Sequence, residues 1–424
     1  MSRANNPNLK SWVEVKKGSD FPIQNLPFGV FKTSGTSARA GVAIGEHILD
    51  LSAVANAGLL NGINFDKKVL AQKNLNDFIA LGKLITNAVR ERVSDLLNEK
   101  NDELKSKPEL QKEAFVKQSE AQMLLPVHIP NYTDFYSSRE HATNVGTMFR
   151  DPKNALLPNW LHLPVGYHGR ASSIAISGTA IHRPKGQTKA DDAAEPSFGP
   201  SRSVDFELEM GFVIGKETEL GASVSTKAAQ DYIFGLVLFN DWSARDLQKW
   251  EYVPLGPFLA KNFGSIVSPW IVTLEALEPF KVESPKQDPE VLPYLKFEGA
   301  KNYDIHLEVD IVTEDGASKT VSNSNFKYMY WNMAQQLAHH TVNGCNIEVG
   351  DLYASGTISG PTPDSYGSML EISWQGKNPV TMPDGTERRF ILDNDTVVMK
   401  GYCEKDGVRI GFGECSSKIL PALS

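Results

Sequence analysis

The first 126 residues combine short apolar stretches with one longer helical pattern. Apolar residues dominate 28–31, 40–44 and 47–51, and Gly45-Glu46 between the last two stretches predicts a tight hairpin turn. From 75 to 98 apolar residues recur every three or four positions, which predicts a helix with one apolar stripe. We therefore expect residues 1–126 to form a small β-barrel-like domain with a helical appendage.

From residue 127 onward, Gly and Pro separate many short apolar stretches. These stretches predict strands at 206–214, 232–239, 270–273, 305–312, 369–374, 389–392 and 396–401. A helical period is confined to 137–149, 226–231, 243–250 and 326–341. The pattern predicts an α+β fold, mostly β, in which 127–424 form a large second domain.

Charge and cysteine content narrow the class of protein. The 43 Lys and Arg against 51 Asp and Glu give a net charge of −8, which argues against a nucleic-acid partner. No apolar run approaches the length of a membrane span, so no membrane partner is expected. The three cysteines form no Cys-x-x-Cys pair, which fits a reducing compartment, and we predict a cytoplasmic (cytosolic) protein.

Three alternating acidic residues, Asp205, Glu207 and Glu209, lie at the start of one predicted strand. Alternate side chains of a strand share a face, so their carboxylates would lie together. Carboxylates at such separations repel one another and suit a hard cation such as Ca²⁺ or Mg²⁺. The alternative is an acidic strand face exposed to solvent.

Two further segments carry candidate chemistry. After the apolar stretch 233–239, Asp241 could add an oxygen ligand, and a short helix would present Arg245 and Gln248 on one face. The alternative is that Asp241 or Ser243 caps this helix and that Arg245 is a solvated charge.

The second segment predicts the start of a helix. Ser137-x-x-Glu140 is a capping box, with His141 in the first turn and Asp134 just before it. A helix N-terminus disfavours the positive imidazolium, and the neutral imidazole that it favours suits a general base. The alternative is that His141 is a structural histidine.

Several longer segments resemble the fumarylacetoacetase family. Among them are Asn-Asp-Trp-Ser-Ala-Arg-Asp at 240–246 and Ala-Ser-Gly-Thr-Ile-Ser-Gly at 354–360. Similar matches occur at 20–31, 133–139, 156–170 and 250–259, so the resemblance runs from about residue 18 to the C-terminus.

The resemblance implies a fold and an activity. It implies a small N-terminal SH3-like β-barrel domain, a large C-terminal mixed β-roll domain, and a homodimer. The implied reaction is the hydrolysis of a carbon–carbon bond of the small molecule 4-fumarylacetoacetate, giving fumarate and acetoacetate, the last step of tyrosine and phenylalanine catabolism. It would need Ca²⁺, Mg²⁺ or both.

The resemblance also implies residue roles. The metal carboxylates fall on Asp134, Glu207, Glu209 and Asp241, with second cation contacts on Lys261 and Ser265. The general base falls on His141, oriented by Glu371, and the oxyanion and carbanion stabilisers fall on Arg245, Gln248 and Lys261. Substrate-holding positions, which also include Gln248, fall on Tyr136, Arg150, Tyr167, Tyr252 and Thr357.

Two alternatives stay open from the sequence. One is an acylpyruvate hydrolase or oxaloacetate decarboxylase of the same superfold, disfavoured by the N-terminal domain and by the pair His141 and Glu371. The other is a catalytically silent dimeric scaffold, which would retain the acidic residues, His141, Lys261 and Arg245 without use.

Overall fold

The N-terminal part is built around one antiparallel sheet. The computed structural model describes residues 2–424, and its first sheet has five strands. Their spatial order is Phe115–Lys117, His47–Asp50, Arg39–Ile44, Phe28–Lys32 and Gln122–Leu124. The predicted hairpin is confirmed, because Ile44 pairs with His47 across Gly45-Glu46.

An eight-stranded sheet forms the centre of the C-terminal domain. Its order is Gly166–Gly169, Tyr132–Phe135, Leu352–Ala354, Leu208–Ile214, Ile233–Asp241, Ser265–Val267 and Ile174–Ile176, with Val272–Thr273 also paired to Ile233–Asp241. Both parallel and antiparallel pairs occur, since Leu352–Ala354 runs parallel to Tyr132–Phe135 and antiparallel to Leu208–Ile214. Strands distant in sequence therefore end side by side.

A second large sheet, of five strands, covers one face of the eight-stranded sheet. Its order is Ser318–Asn325, His306–Val312, Thr396–Lys405, Val408–Leu420 and Ile181–His182. Four two-stranded sheets pair Lys185–Thr188 with Ser197–Pro200, Val204–Asp205 with Ser243–Ala244, Lys281–Val282 with Asn302–Tyr303, and Val380–Thr381 with Glu387–Arg388.

The helices are short and lie between the strands. The α-helices are Leu51–Asn56, Asn76–Ile79, Lys83–Leu97, Pro108–Ala114, Arg139–Phe149, Ala229–Tyr232, Arg245–Glu251, Leu274–Leu277, Met333–Thr341 and Met369–Ile372. The 3₁₀ turns are Arg3–Asn5, Lys67–Ala71, Gln118–Glu120, Pro152–Asn154, Ala171–Ser173, Glu278–Phe280, Pro293–Leu295, Phe326–Tyr328 and Pro363–Ser365. Within residues 2–424, none of these helices has the length and apolar character needed to cross a membrane.

The α+β class is confirmed, whereas several element predictions are wrong in detail. The segment 369–374 is a helical turn rather than a strand, because the hydroxyl of Ser368 accepts the Glu371 N–H and caps it. The predicted strand at 389–392 is irregular, and pairing ends at Arg388. The predicted helix over 75–98 is divided at Gly82, whose φ of +82° ends one helix before the next begins.

The strand Ile233–Asp241 lies between two hydrophobic cores. Leu236 and Leu238 face a core shared with the second large sheet, whereas Val237 and Phe239 face a core shared with the N-terminal domain. A strand covered on both faces reads as a continuous apolar run rather than an alternating one. This double burial fixes the end of the strand, where Asp241 lies.

We predict that Leu238→Ala will lower the free energy of unfolding by about 2–5 kcal/mol, because it leaves a cavity under a fully buried strand. Leu220→Ala is the control: Leu220 is 81% exposed, and its loss should change stability by less than about 0.5 kcal/mol. Urea unfolding of both variants would check this, and equal losses would contradict the assigned core.

Candidate active site and metal centre

The candidate site lies where several strands of the eight-stranded sheet end together. Asp134 is in Tyr132–Phe135, Glu209 is in Leu208–Ile214, and Asp241 ends Ile233–Asp241. Pairing sets their neighbours, since Asp134 stands opposite Tyr167 and Asp241 stands opposite Ser265. Side chains from distant parts of the sequence therefore converge at one edge.

Four carboxylates form a buried cluster at this edge. Asp134, Glu207, Glu209 and Asp241 each offer an oxygen, and these oxygens lie within 4.8 Å of one another. All four residues are at most 5% exposed. The sequence alternative of an acidic face exposed to solvent is therefore wrong.

Burial and mutual repulsion disfavour full ionisation of this cluster. Burial, followed by the charge of Asp241, raises the pKa of Asp134 well above its usual range. Burial, followed by the charge of Asp134, does the same to the pKa of Glu209. Burial also raises the pKa of Asp241. These carboxylates need positive charge beside them to be ionised together.

Two positively charged side chains of the protein, Lys261 and Arg245, contact Glu207. The Lys261 ammonium contacts one Glu207 oxygen and lies 2.6 Å from Asp241 Oδ2, and Arg245 Nη1 lies 2.6 Å from the other Glu207 oxygen. Burial alone would raise the pKa of Glu207, but the two cations outweigh it and lower that pKa. Asp241 also accepts hydrogen bonds from Ser265 Oγ (2.7 Å) and the Tyr167 hydroxyl (3.3 Å).

The cluster fits a hard divalent cation. The Oδ1 atom of Asp134 and the Oε1 atom of Glu209 are buried and accept no hydrogen bond from residues 2–424. Buried carboxylate oxygens without a donor are costly, and oxygen ligands of this kind suit Ca²⁺ or Mg²⁺. The other Glu209 oxygen accepts the Gly356 N–H at 3.0 Å, which fixes the direction of the carboxylate.

A histidine–carboxylate pair lies beside the cluster. His141 is in the first turn of Arg139–Phe149, and its Nδ1 lies 2.7 Å from Oε2 of Glu371. Both residues are at most 3% exposed. His141 is close enough to Glu207 to contribute to the lowering of its pKa, so the ring borders the acidic cluster.

The His141 ring and several neutral donors together hold Glu371 in its ionised form. The Asn144 amide and the Ser359 hydroxyl donate to Oε1, and the hydroxyls of Ser359 and Ser368 donate to Oε2, each at 2.9 Å. Burial alone would raise the pKa of Glu371, but His141 and these donors outweigh it and lower that pKa. An ionised carboxylate only accepts, so Nδ1 of His141 carries a proton. In the neutral imidazole, Nε2 is then the acceptor.

Several predicted substrate residues border the pair and the cluster. Tyr136 packs edge-on against His141, with ring centroids 5.3 Å apart. The buried hydroxyl of Thr357 has no hydrogen-bond partner among residues 2–424. Gln248 accepts from Arg245 Nη1 at 3.2 Å, so these two residues share one face of their helix as the sequence predicts.

Two predicted substrate residues lie further out. Arg150 is exposed, and its Nε and Nη2 donate to the carbonyl of Ala155 rather than to the cluster. Tyr252 is 52% exposed and follows Arg245–Glu251. A cleft of about 350 Å³ is lined by residues that include Tyr167, Phe258, Lys261 and Ser265. Both Lys261 and Ser265 donate to Asp241, so the cleft lies next to the cluster.

Three details of the sequence analysis need correction. The cap of Arg139–Phe149 is Ser138, not Ser137, because the Ser138 hydroxyl accepts the His141 N–H. Neither Asp241 nor Ser243 caps Arg245–Glu251, and Arg245 is 9% exposed rather than solvated.

The third correction concerns Asp205, which does not join Glu207 and Glu209. The strand is broken between them, because Asp205 pairs with Ser243 and Leu208 pairs with Asn240 in separate sheets. Asp205 turns instead to Arg245, whose Nε donates to it at 2.8 Å.

Sequence reasoning missed the residues that support the others. Asn144, Ser359 and Ser368 hold Glu371, and the Gly356 N–H holds Glu209. Their common signal is closeness in sequence to a predicted site residue. That signal is weak, because the hydrogen bonds themselves join segments up to 227 positions apart.

Comparison with known families covers almost the whole chain. Residues 24–126 match the family described as "Fumarylacetoacetase N-terminal", and residues 131–420 match "Fumarylacetoacetate (FAA) hydrolase C-terminal". The chain belongs to the fumarylacetoacetase family. The resemblance inferred from sequence motifs is confirmed.

Individual relatives extend this result. The chain is 56% identical over 420 residues to "Fumarylacetoacetase" of Dictyostelium discoideum, covering 98% of both chains. It is 54% identical over 415 residues to "Fumarylacetoacetase" of Homo sapiens, covering 97% of this chain and 99% of the relative. The similarity thus includes both domains.

A solved structure supports the fold. The "Fumarylacetoacetate hydrolase" of Exiguobacterium antarcticum superposes with a TM-score of 0.53 at 18% identity, covering 93% of this chain and 99% of that one. At this identity the likeness concerns the fold alone, and it agrees with the large mixed sheets described above.

We predict that Ca²⁺ will raise the melting temperature of the metal-depleted wild-type chain, since a ligand at 100 times its Kd adds about 2.7 kcal/mol to the stability. Glu209→Gln should weaken Ca²⁺ binding by about 10- to 100-fold or more. It should not destabilise the metal-free protein, because a neutral amide replaces a buried carboxyl group whose ionisation the neighbouring carboxylates already disfavour.

The matched control is Asp351→Asn, a buried carboxylate that accepts from Asn131 and Glu348 outside the cluster. This variant should melt earlier but keep the Ca²⁺-dependent shift. Thermal melting and calorimetric titration would measure both quantities. A Glu209→Gln variant that binds Ca²⁺ like the wild type would contradict the assigned centre.

Proposed function

We propose that this chain hydrolyses the carbon–carbon bond between the fumaroyl carbonyl and the adjacent methylene of 4-fumarylacetoacetate, giving fumarate and acetoacetate. The observation that carries the proposal is the buried pair His141–Glu371 beside a cluster of four carboxylates. Relatives at 54–56% identity that bear the name fumarylacetoacetase support the substrate.

The acidic cluster would hold Ca²⁺ or Mg²⁺, through Asp134, Glu207, Glu209 and Asp241. Lys261 and Ser265 are proposed to contribute second cation contacts by way of Asp241, to which both donate. When bound, a hard cation would be chelated by the 1,3-diketone and would polarise its carbonyl groups.

His141 is the proposed general base. With its Nδ1 proton directed to Glu371, the Nε2 lone pair is free to accept a proton from water. The hydroxide equivalent would add to the fumaroyl carbonyl, and Glu371 would stabilise the imidazolium that forms. Cleavage then leaves the electron pair on the acetoacetate methylene as an enolate, which takes up the proton.

Two cations are placed to stabilise the negative charge that develops. Lys261 has three N–H donors and uses two of them on Glu207 and Asp241. The Nη2 group of Arg245 is buried and has no partner among residues 2–424. We propose that these free donors, together with Gln248, bind the oxyanion and the departing enolate.

The remaining residues are proposed to hold the substrate. Tyr136 packs against the His141 ring. Thr357 follows Gly356, whose N–H donates to Glu209. Tyr167 lines the same cleft as Lys261. Arg150 and Tyr252 are exposed, and we propose that they bind the terminal carboxylates of a dicarboxylate substrate.

We also propose several finer assignments. Among them, only the homodimer comes from the resemblance. The boundary between the two domains at 126/127, the cytosolic location, and the absence of a nucleic-acid or membrane partner are proposed from the sequence pattern and composition. The net charge of −8 supports the exclusion of nucleic acid.

The decisive experiment is turnover of 4-fumarylacetoacetate by the purified chain, with products identified by NMR, before and after removal of divalent cations. We expect fumarate and acetoacetate in equal amounts, loss of turnover on chelation, and recovery with Ca²⁺ or Mg²⁺. Turnover of acylpyruvates or oxaloacetate instead would support the related enzymes, and no turnover of any of them would support a silent scaffold.

We predict that Glu371→Gln will lower kcat by about 10²- to 10⁴-fold, because an amide cannot balance the imidazolium of His141. His141→Ala should lose at least as much, and the double variant should lose no more than His141→Ala alone. The control is His306→Ala, an exposed histidine on the second large sheet, which should keep full kcat. Additive losses would show that the two residues do not act as one unit.

A further inference from the structure

A fully buried carboxylate outside the metal cluster touches both halves of the site. Asp205 is 0% exposed, and its oxygens accept the Arg245 Nε–H at 2.8 Å and the backbone N–H groups of Met369 and Leu370 at 2.7 and 3.0 Å. No oxygen of Asp205 belongs to the four-carboxylate group. Its hydrogen bonds therefore serve neighbouring residues rather than a ligand.

Each partner of Asp205 belongs to a different part of the proposed machinery. Arg245 is held at Nε by Asp205 and at Nη1 by Glu207, whereas Nη2 is buried and has no partner among residues 2–424. Met369 and Leu370 open the helical turn that carries Glu371. One carboxylate thus fixes the rotation of the anion-binding guanidinium and the place of the carboxylate that orients His141.

We propose that Asp205 is a positioning residue that aligns Arg245 with the His141–Glu371 pair, an assignment that rests on the proposed function. A guanidinium whose Nε and Nη1 groups are both held can offer only its Nη2 group to a ligand. This preorganises the guanidinium for a negative charge that appears only during the reaction. The two backbone hydrogen bonds keep Glu371 at a fixed distance from that guanidinium.

Substitution should separate catalysis from binding. In Asp205→Asn the amide NH₂ faces a donor, so either the guanidinium or the helical turn loses its acceptor. We expect kcat to fall by about 100-fold, the loss typical of a misplacement near 1 Å. We expect KM and the Ca²⁺ affinity to stay within a few-fold, because the four carboxylates are unchanged.

The chain provides a matched control. Asp395 is also buried, and it accepts from Arg388 Nε at 2.7 Å, from Arg388 Nη2 at 2.9 Å and from the Leu392 N–H at 2.9 Å, away from the site. Asp395→Asn should lose stability as Asp205→Asn does, but keep kcat. Equal kcat in the two folded variants would overturn the proposal.

A double-mutant cycle tests the route through Arg245. If Asp205 acts by aligning the guanidinium, then Asp205→Asn should cost much less kcat in an Arg245→Lys background than alone, and additive losses would overturn this route. If Asp205→Asn does not fold, Asp205→Glu, which displaces both oxygens by one methylene, should show the same loss of kcat. Failure of both to fold would overturn positioning in favour of a purely structural role.

Wild-type turnover is measured in the same assay. An inactive wild type would overturn the proposed function and, with it, the role of Asp205. An active wild type with an equally active Asp205→Asn would overturn only the role of Asp205.

Discussion

The structure depends on the burial of more negative than positive charge at the strand ends of the eight-stranded sheet. Asp205 and the four carboxylates of the cluster meet there, beside only two cations, Lys261 and Arg245. Ions that are not fully paired are costly in a protein interior. The raised pKa values of Asp134 and Glu209 express that cost. A divalent cation would remove it, so the site is built to be completed by a ligand.

The fold accommodates this cost by holding the carboxylates on or beside strands that are tightly packed. Ile233–Asp241 is covered on both faces, and the neighbouring antiparallel strand 208–214 begins beside its end, where Leu208 pairs with Asn240. Gly356 shows how tightly the edge is packed: its φ is +76°, and a Cβ there would lie 2.2 Å from the Phe135 carbonyl oxygen. The close approach lets its N–H reach Glu209.

The sequence predicts those parts of the site that local patterns encode. Alternating acidic residues, a helix cap before His141, and Arg245 and Gln248 at a helical spacing were all visible, as was the α+β class. The sequence could not show that Asp205 leaves the acidic row, because the break before Leu208 depends on which strand each segment pairs with. Likewise 369–374 is too short for its period to separate strand from helix, and the cap from Ser368 decides it.

The charges around the four-carboxylate cluster differ from those around Glu371. The metal cluster receives the buried cations, whereas Glu371 receives neutral donors from Asn144, Ser359 and Ser368 together with the His141 ring. His141 contributes most to lowering the pKa of Glu371, and the neutral donors lower it further without adding a second positive charge beside His141. A cation there would disfavour the imidazolium that His141 must become in its proposed role as general base, and a Glu371 without such a cation is suited to stabilise that imidazolium.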